Sequence, residues 1–318
     1  MSTSLRRDPP RWLPPLSAAL GEALPRLYGQ PAEPELLELI DALTRALERG
    51  ELTIDLRGPA PAGIRPETWP EAHRRALEIS ALAQDPHGPL ALEGSLVGWR
   101  RWQQRRRRVW EALVARAQGL PVLKGATLPP SGLALPAGLD PQQREAIRTV
   151  LERDLLVLTG GPGTGKTSTV THLLAAVAAR NEEALIHLAA PTGKAAARLR
   201  TATGGRWPCT TLHQLLECRG EDDFRRHRQR PLRLDLLVVD EVSMVDLALL
   251  EALLDALPQQ ARLVLVGDPA QLPPVAPGFP LGEMLRGDAG SVFAESVVTL
   301  RTTHRQAGAM SKIGRAHV

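Results

Sequence analysis

At 318 residues, 43% of them hydrophobic, the chain is long enough for two ordinary domains and has the apolar side chains to fill their cores. It has no apolar run of membrane-spanning length, and its first 15 residues carry Arg6, Arg7 and Asp8 where a secretory signal needs an apolar stretch, so a cytoplasmic location is expected. The net charge of +4 favours an anionic partner without demonstrating one, and Cys209 and Cys218 form neither a CxxC pair nor a metal-ligand pattern, so reduced thiols are expected.

In chain order, Glu35 to Glu48 has helical periodicity, Glu51 to Leu56 is extended, and helical segments follow around Glu71 to Ala83. A second extended piece, Leu90 to Leu96, leads into a helical stretch from Trp99 to Ala117. Together these predict a small mixed α/β domain over residues 1–120. Residues 121–138 are rich in Pro and Gly and read as a linker. Beyond them, short aliphatic runs alternate with helices: Leu155 to Leu158, Ala184 to Ala189, Leu236 to Val239 and Arg262 to Val266, each closed by Gly, Pro or an acidic residue. Continuous apolar strands of this kind belong to a parallel sheet covered on both faces. The expected fold class is therefore α/β.

Gly160-Gly161-Pro162-Gly163-Thr164-Gly165-Lys166-Thr167 fits G-x-x-x-x-G-K-[ST] directly after one of these strands and directly before a helix. Glycines let backbone N–H groups curl around phosphate oxygens, the helix N-terminus adds its positive end, Lys166 reaches the β and γ phosphates of ATP, and Thr167 offers its hydroxyl to Mg²⁺. The expected ATP-binding set runs from Gly160 through Ser168. Leu236 to Asp240 with Glu241 (LLVVDE) is an aliphatic strand ending in two carboxylates: Asp240 is expected in the Mg²⁺ shell and Glu241 on the attacking water. A further strand ends in Gly267-Asp268-Pro269-Ala270-Gln271, where an amide just past a strand can sense the γ-phosphate. Taken alone, that segment reads more readily as a proline-rich turn.

Only four of the 39 basic residues are lysines: Lys124, Lys166, Lys194 and Lys312. Lys is a compact point charge and Arg a planar fork, so sites shaped for one reject the other, and two of the four lysines fall inside motifs. The P-loop, Leu188 to Leu199 (LAAPTGKAAARL), Thr211 to Leu216 (TLHQLL), Leu236 to Asp246 (LLVVDEVSMVD) and GDPAQLPPV resemble, in order, the motif set of RecD-type helicases of superfamily 1, which include the alpha subunit of the RecBCD exonuclease (exodeoxyribonuclease V). The resemblance covers Leu139 to Gln306. It implies a RecA-like P-loop NTPase motor over residues 139–290, with ATP and Mg²⁺ as cofactors and DNA as the track. It implies 5′-to-3′ movement in double-strand break repair and recombination, with RecB-like and RecC-like subunits as partners. Leu139 to Ile147 (LDPQQREAI) is similar to the family's Q motif, which gives Gln143 the adenine. Leu300 to Gln306 (LRTTHRQ) is similar to the start of the second motor domain, expected over 291–311, and gives Arg305 the γ-phosphate, although His304 stands where an aromatic residue is usual.

The same matching assigns DNA contacts to Pro191, Thr192, Gly193 and Lys194, a turn between strand and helix whose N–H groups, hydroxyl and ammonium can meet phosphates without reading sequence. His213 is either a DNA contact or a satisfied histidine behind the Thr211 helix cap. The basic stretch Arg219 to Arg233 is either a solvated loop or part of a small inserted pin, expected over 217–233, that parts the duplex. Trp99 to Trp110 interleaves Arg with aromatics, as a single-strand platform would, but in a domain that the resemblance makes a docking surface for a RecC-like subunit.

Two alternatives remain on the residues: a stand-alone RecD-like helicase, and a nucleotide- and DNA-binding module without turnover. Lys312 to Val318 (KIGRAHV) read as the translation of a sequencing-library adapter, so the natural chain is expected to continue past Ser311.

Overall fold

The computed structural model describes residues 16–302 apart from 32, 120–135, 137, 221, 272, 273, 275, 279 and 286–291. Most of the expected linker, the end of GDPAQLPPV, His304, Arg305 and the 312–318 tail lie outside the described residues. The chain divides into two compact units, residues 1–107 with 276–278 and residues 108–275 with 279–318.

The first unit contains α1 (Leu16–Leu27), α2 (Pro34–Glu48), β1 (Thr53–Asp55), α3 (Glu71–Ile79), α4 (Ala81–Gln84), β2 (Leu90–Glu93) and β3 (Leu96–Trp99). Helix α2 starts on Pro34, whose missing N–H costs nothing at a first helical position, and buries Leu36, Leu39, Ile40 and Leu43, one stripe at helical spacing. The stripe packs with Leu56, Trp69, Leu77, Leu90 and Val97 in a single core. The extended piece expected at 90–96 is a hairpin: β2 pairs antiparallel with β3, which also pairs with β1, giving the order β1-β3-β2.

Helix α5 (Arg100–Gln118) starts in the first unit and ends in the second. The first unit ends inside this helix, at residue 107, whereas the sequence led to a domain over residues 1–120. The Trp110 ring meets Phe293 edge-on at 5.1 Å, so Trp110 is a packing residue and not an open stacking platform. The Arg116 guanidinium, buried, donates to the carbonyls of Ala261 (2.6 Å), Pro258 (2.9 Å) and Leu257 (3.2 Å).

The second unit continues with α6 (Pro141–Glu152), β4 (Leu155–Gly160), α7 (Lys166–Arg180), β5 (Ile186–Ala190), α8 (Gly193–Ala202), β6 (Cys209–Thr211), α9 (Leu212–Leu215), β7 (Cys218–Gly220) and β8 (Asp223–Phe224). It ends with β9 (Leu236–Val239), a 3₁₀ turn (Val242–Met244), α10 (Leu247–Ala256), β10 (Arg262–Gly267), α11 (Pro280–Met284) and β11 (Val297–Leu300). Six strands form one parallel sheet in the order β11-β4-β10-β9-β5-β6. Its central strands β4, β9 and β10 are buried along their whole length, as expected of strands covered on both faces. The core on one side joins Ala146, Ile147 and Val150 of α6 with Val170, Leu173 and Leu174 of α7 and Leu199 of α8.

Strand β11 lies inside residues 291–311, where the start of a second motor domain was expected; Val297 to Leu300 pair with Val157 to Gly160 and bury Val298 and Leu300 on the first sheet. Residues 217–233 hold the hairpin β7–β8, anchored by Glu217, whose carboxylate takes a hydrogen bond from Arg226 Nε at 2.8 Å and also pairs with Arg225 and Arg230. The Arg226 hydrogen bond, first among these, holds the Glu217 carboxyl below its ordinary range. Cys209 and Cys218 are free thiols, and no described helix is long and apolar enough to cross a membrane.

Burial raises the Asp154 carboxyl above its ordinary range while the charges of Arg262 and Arg116 pull it back, so two buried cations and one buried anion lie near the root of β4 and β10. Removing one partner of a buried charged group typically costs about 3–5 kcal/mol. Arg116→Ala should therefore lower unfolding stability by about 3 kcal/mol in a denaturant titration, and Arg116→Lys should recover only part of it, because one ammonium cannot serve three carbonyls as a planar fork does.

Candidate nucleotide and DNA site

In a parallel sheet all strands end at the same edge. Here β10 lies between β4 and β9, so the loop after β4, the carboxylates after β9 and the turn after β10 emerge side by side. All three segments were singled out from the sequence, and the strand order brings them together.

The loop after β4 is shaped by glycine. Gly163 (φ 77°) and Gly165 (φ 83°) adopt the left-handed conformation that other residues reach only at a cost, and Gly165 caps α7. A Cβ on Gly160 would stand 2.6 Å from Thr164 Oγ1 and 2.9 Å from the Leu300 carbonyl oxygen, so nothing larger than glycine fits. Thr164, buried, donates its hydroxyl to the Gly161 carbonyl at 2.9 Å and closes the turn, leaving Pro162 and Gly163 exposed at the tip. Lys166 Nζ donates to the carbonyls of Gly160 (2.5 Å) and Gly161 (2.9 Å), which holds the ammonium over the mouth of the loop. Thr167 is half-buried and Ser168 exposed in the first turn of α7. A ring of N–H groups at a helix N-terminus beside an ammonium is the chemistry that receives phosphate oxygens, and the cradle fits such a group.

Asp240 follows β9, with its N–H donating to the Ala189 carbonyl at 2.9 Å and its Oδ1 accepting from the Glu241 N–H at 2.9 Å. Burial raises the Asp240 carboxyl above its ordinary range; the Glu241 charge adds to this, while that N–H bond, Lys166 and Arg198 work against it. Glu241 has φ 53°, a left-handed conformation that costs a non-glycine residue about 1 kcal/mol, and it leads into the 3₁₀ turn that holds it. Its carboxylate lies 3.5 Å from the Arg198 guanidinium of α8. Among the described residues no three His, Cys, Asp or Glu side chains gather as a metal cage. A metal on Asp240 and Thr167 would thus depend on phosphate oxygens for its other ligands, as Mg²⁺ commonly does.

Past β10, Asp268 is buried and accepts the Ala270 N–H at 3.0 Å, while Gln271 is exposed and its N–H donates to the Asp268 carbonyl at 3.1 Å. Gln143 is also buried. Its amide oxygen accepts from the Asp140 N–H (3.1 Å) to complete a capping box on α6, and its Nε2 donates to Thr169 Oγ1 of α7 (3.3 Å). The residue thus joins the Q-motif helix to the P-loop helix, a structural use that the sequence did not suggest.

The turn after β5 stands at the same edge. Thr192 caps α8 by accepting the Ala195 N–H at 3.2 Å, Pro191 is half-buried, and Gly193 and Lys194 are exposed in the first turn. His213 is exposed on the short helix α9, behind the capping box made by Thr211 and Gln214. Away from this edge, a cavity of about 690 Å³ lies beside the hairpin segment, between Arg226, Arg230 and His187 near the start of β5.

Residues 143–277 match the AAA domain family. The RecBCD enzyme subunit RecD of Mycolicibacterium smegmatis is 39% identical over 296 residues, 85% of this chain and 51% of that protein. The chain is a homologue of the RecD proteins. The ATP-dependent RecD2 DNA helicase of Deinococcus radiodurans is 43% identical over 183 residues, 57% of this chain and 24% of that one. Among solved structures, the Pif1 helicase from Candida albicans is 24% identical with a TM-score of 0.38, covering 54% of this chain and 41% of that one. The chain spans about half the length of the mycobacterial RecD relatives it matches.

Sequence reading missed Arg198, the cation beside Glu241; the available signal was its position four residues after Lys194, one helical turn along α8. Gly160→Ala should weaken nucleotide binding at least tenfold in a titration with a fluorescent ATP analogue, whereas Gly161→Ala, whose Cβ would meet nothing within 4 Å, should bind better than Gly160→Ala.

Proposed function

We propose that this chain carries the first motor domain of an ATP-driven DNA helicase of the RecD kind, a cytoplasmic subunit that works with RecB-like and RecC-like partners in double-strand break repair. The observation that carries the proposal is the strand order, by which the Lys166 loop, the Asp240–Glu241 pair and the Gln271 turn share one sheet edge. The assembly with partners and the 5′-to-3′ direction rest on the names of the relatives and on the motif resemblance.

ATP with Mg²⁺ supplies the phosphoanhydride whose cleavage drives movement. Within the chain, the N–H groups of Gly161 to Thr167 and the Lys166 ammonium would hold the phosphates, with Ser168 in the first turn of α7. Thr167 and Asp240 would hold the metal, and Glu241 would orient the attacking water and accept its proton. Gln271 would report the γ-phosphate to the strand, and Arg305 would meet it from the second motor domain. Gln143 would face the adenine only by giving up its bond to Thr169. Pro191, Thr192, Gly193 and Lys194 would grip the sugar-phosphate backbone at the start of α8, with His213 nearby.

In the full-length protein, Lys166→Ala should reduce DNA-stimulated ATP turnover by roughly 10²-fold or more, the usual loss when one charge-stabilising donor is removed. Unchanged turnover in that variant would sink the proposal. Deleting residues 222–230 should abolish strand separation on a forked duplex while sparing DNA-stimulated turnover if the hairpin is the pin; equal unwinding by the deletion protein would make it a surface loop.

A further inference from the structure

Helix α8 has one end at the proposed strand contact and, one turn later, a side chain on the proposed catalytic carboxylate. Thr192, Gly193 and Lys194 begin the helix, and Arg198, four residues after Lys194 and on the same face, meets Glu241 at 3.5 Å. The two halves of the pair differ in freedom. The Arg198 side chain is 74% exposed, on a long flexible stem, whereas that of Glu241 is 28% exposed and its backbone is held in the left-handed conformation. A guanidinium fork pairs equally with carboxylates and phosphates, so a phosphodiester arriving at the start of α8 competes with Glu241 for Arg198.

We propose that Arg198 is a positioning residue that holds the Glu241 carboxylate in a resting orientation until a single DNA strand at the start of α8 draws the guanidinium away. The inference rests on the helicase reading above. In the resting arrangement the carboxylate oxygen that would accept a proton from water is shared with a cation. Engagement of the strand frees it, which ties turnover to the presence of track. The linkage is reciprocal: if DNA loosens Arg198 from Glu241, removing the Glu241 charge must strengthen DNA binding by the same factor. A pair this exposed is screened by salt and weak, so the expected changes are about two- to fivefold.

The test uses full-length protein and an oligo-dT strand. Arg198→Ala should raise DNA-free ATP turnover about two- to fivefold and shrink the stimulation by DNA, with Arg198→Lys staying close to the parent. DNA-free turnover of the parent should rise with salt and that of Arg198→Ala should not. In nucleotide-free titrations with fluorescent oligo-dT, Glu241→Gln should bind about two- to fivefold tighter, and the gain should vanish in the Arg198→Ala background. DNA-free turnover that is unchanged or lower in Arg198→Ala overturns the latch. If Lys166→Ala matches the parent or nothing hydrolyses ATP, the helicase reading fails instead, and the titration alone judges the latch: equal affinity of parent and Glu241→Gln overturns it.

Discussion

The order of strands in the parallel sheet is the constraint on which the rest of the structure depends. Because β10 stands between β4 and β9, the phosphate-type loop and the acidic pair are neither adjacent nor remote: one strand width separates them, and the turn carrying Gln271 occupies the gap. Strands β4, β9 and β10 can lie there only because every residue in them is buried, with helices on both faces to cover them. Hydrophobic burial thus sets the spacing of the polar groups at the edge.

At that edge the local backbone is under tension. Gly163 and Gly165 adopt left-handed conformations without penalty, but Glu241 does so as a non-glycine residue, and Gly160 is pressed against Thr164 and the end of β11. The closeness of Leu300 follows from the pairing of β11 with β4, which sets the Leu300 carbonyl beside Gly160 at the start of the loop. A strand that sequence would assign to a following domain therefore helps to shape the glycine-rich loop of this one.

The same sheet has a second anchorage at its opposite end. Arg116, near the end of α5, caps the carbonyls of Leu257, Pro258 and Ala261 beside Arg262 and Asp154, at the roots of β10 and β4. The last turns of α5 are thereby fastened to the two strands whose other ends carry the P-loop and the Gln271 turn.

The sequence by itself determined the elements whose signal is local. The four aliphatic runs became β4, β5, β9 and β10, and GGPGTGKT lies between a strand and a helix, because burial on two faces and phosphate-type turns each demand a contiguous residue pattern. Helix α1, with Pro25 inside it, and the short edge strands β6 and β11 were not legible: a few residues of mixed polarity acquire strand geometry only by pairing with a neighbour. Only the tertiary structure decided that Val297 to Leu300 complete the first sheet, that α5 ends in the second unit, that Gln143 bonds Thr169, and that Arg198 faces Glu241. The physical reason is common to all four. Each depends on groups far apart in the chain, and the strand order that brings them together is set by packing of the whole sheet, which no local window of sequence contains.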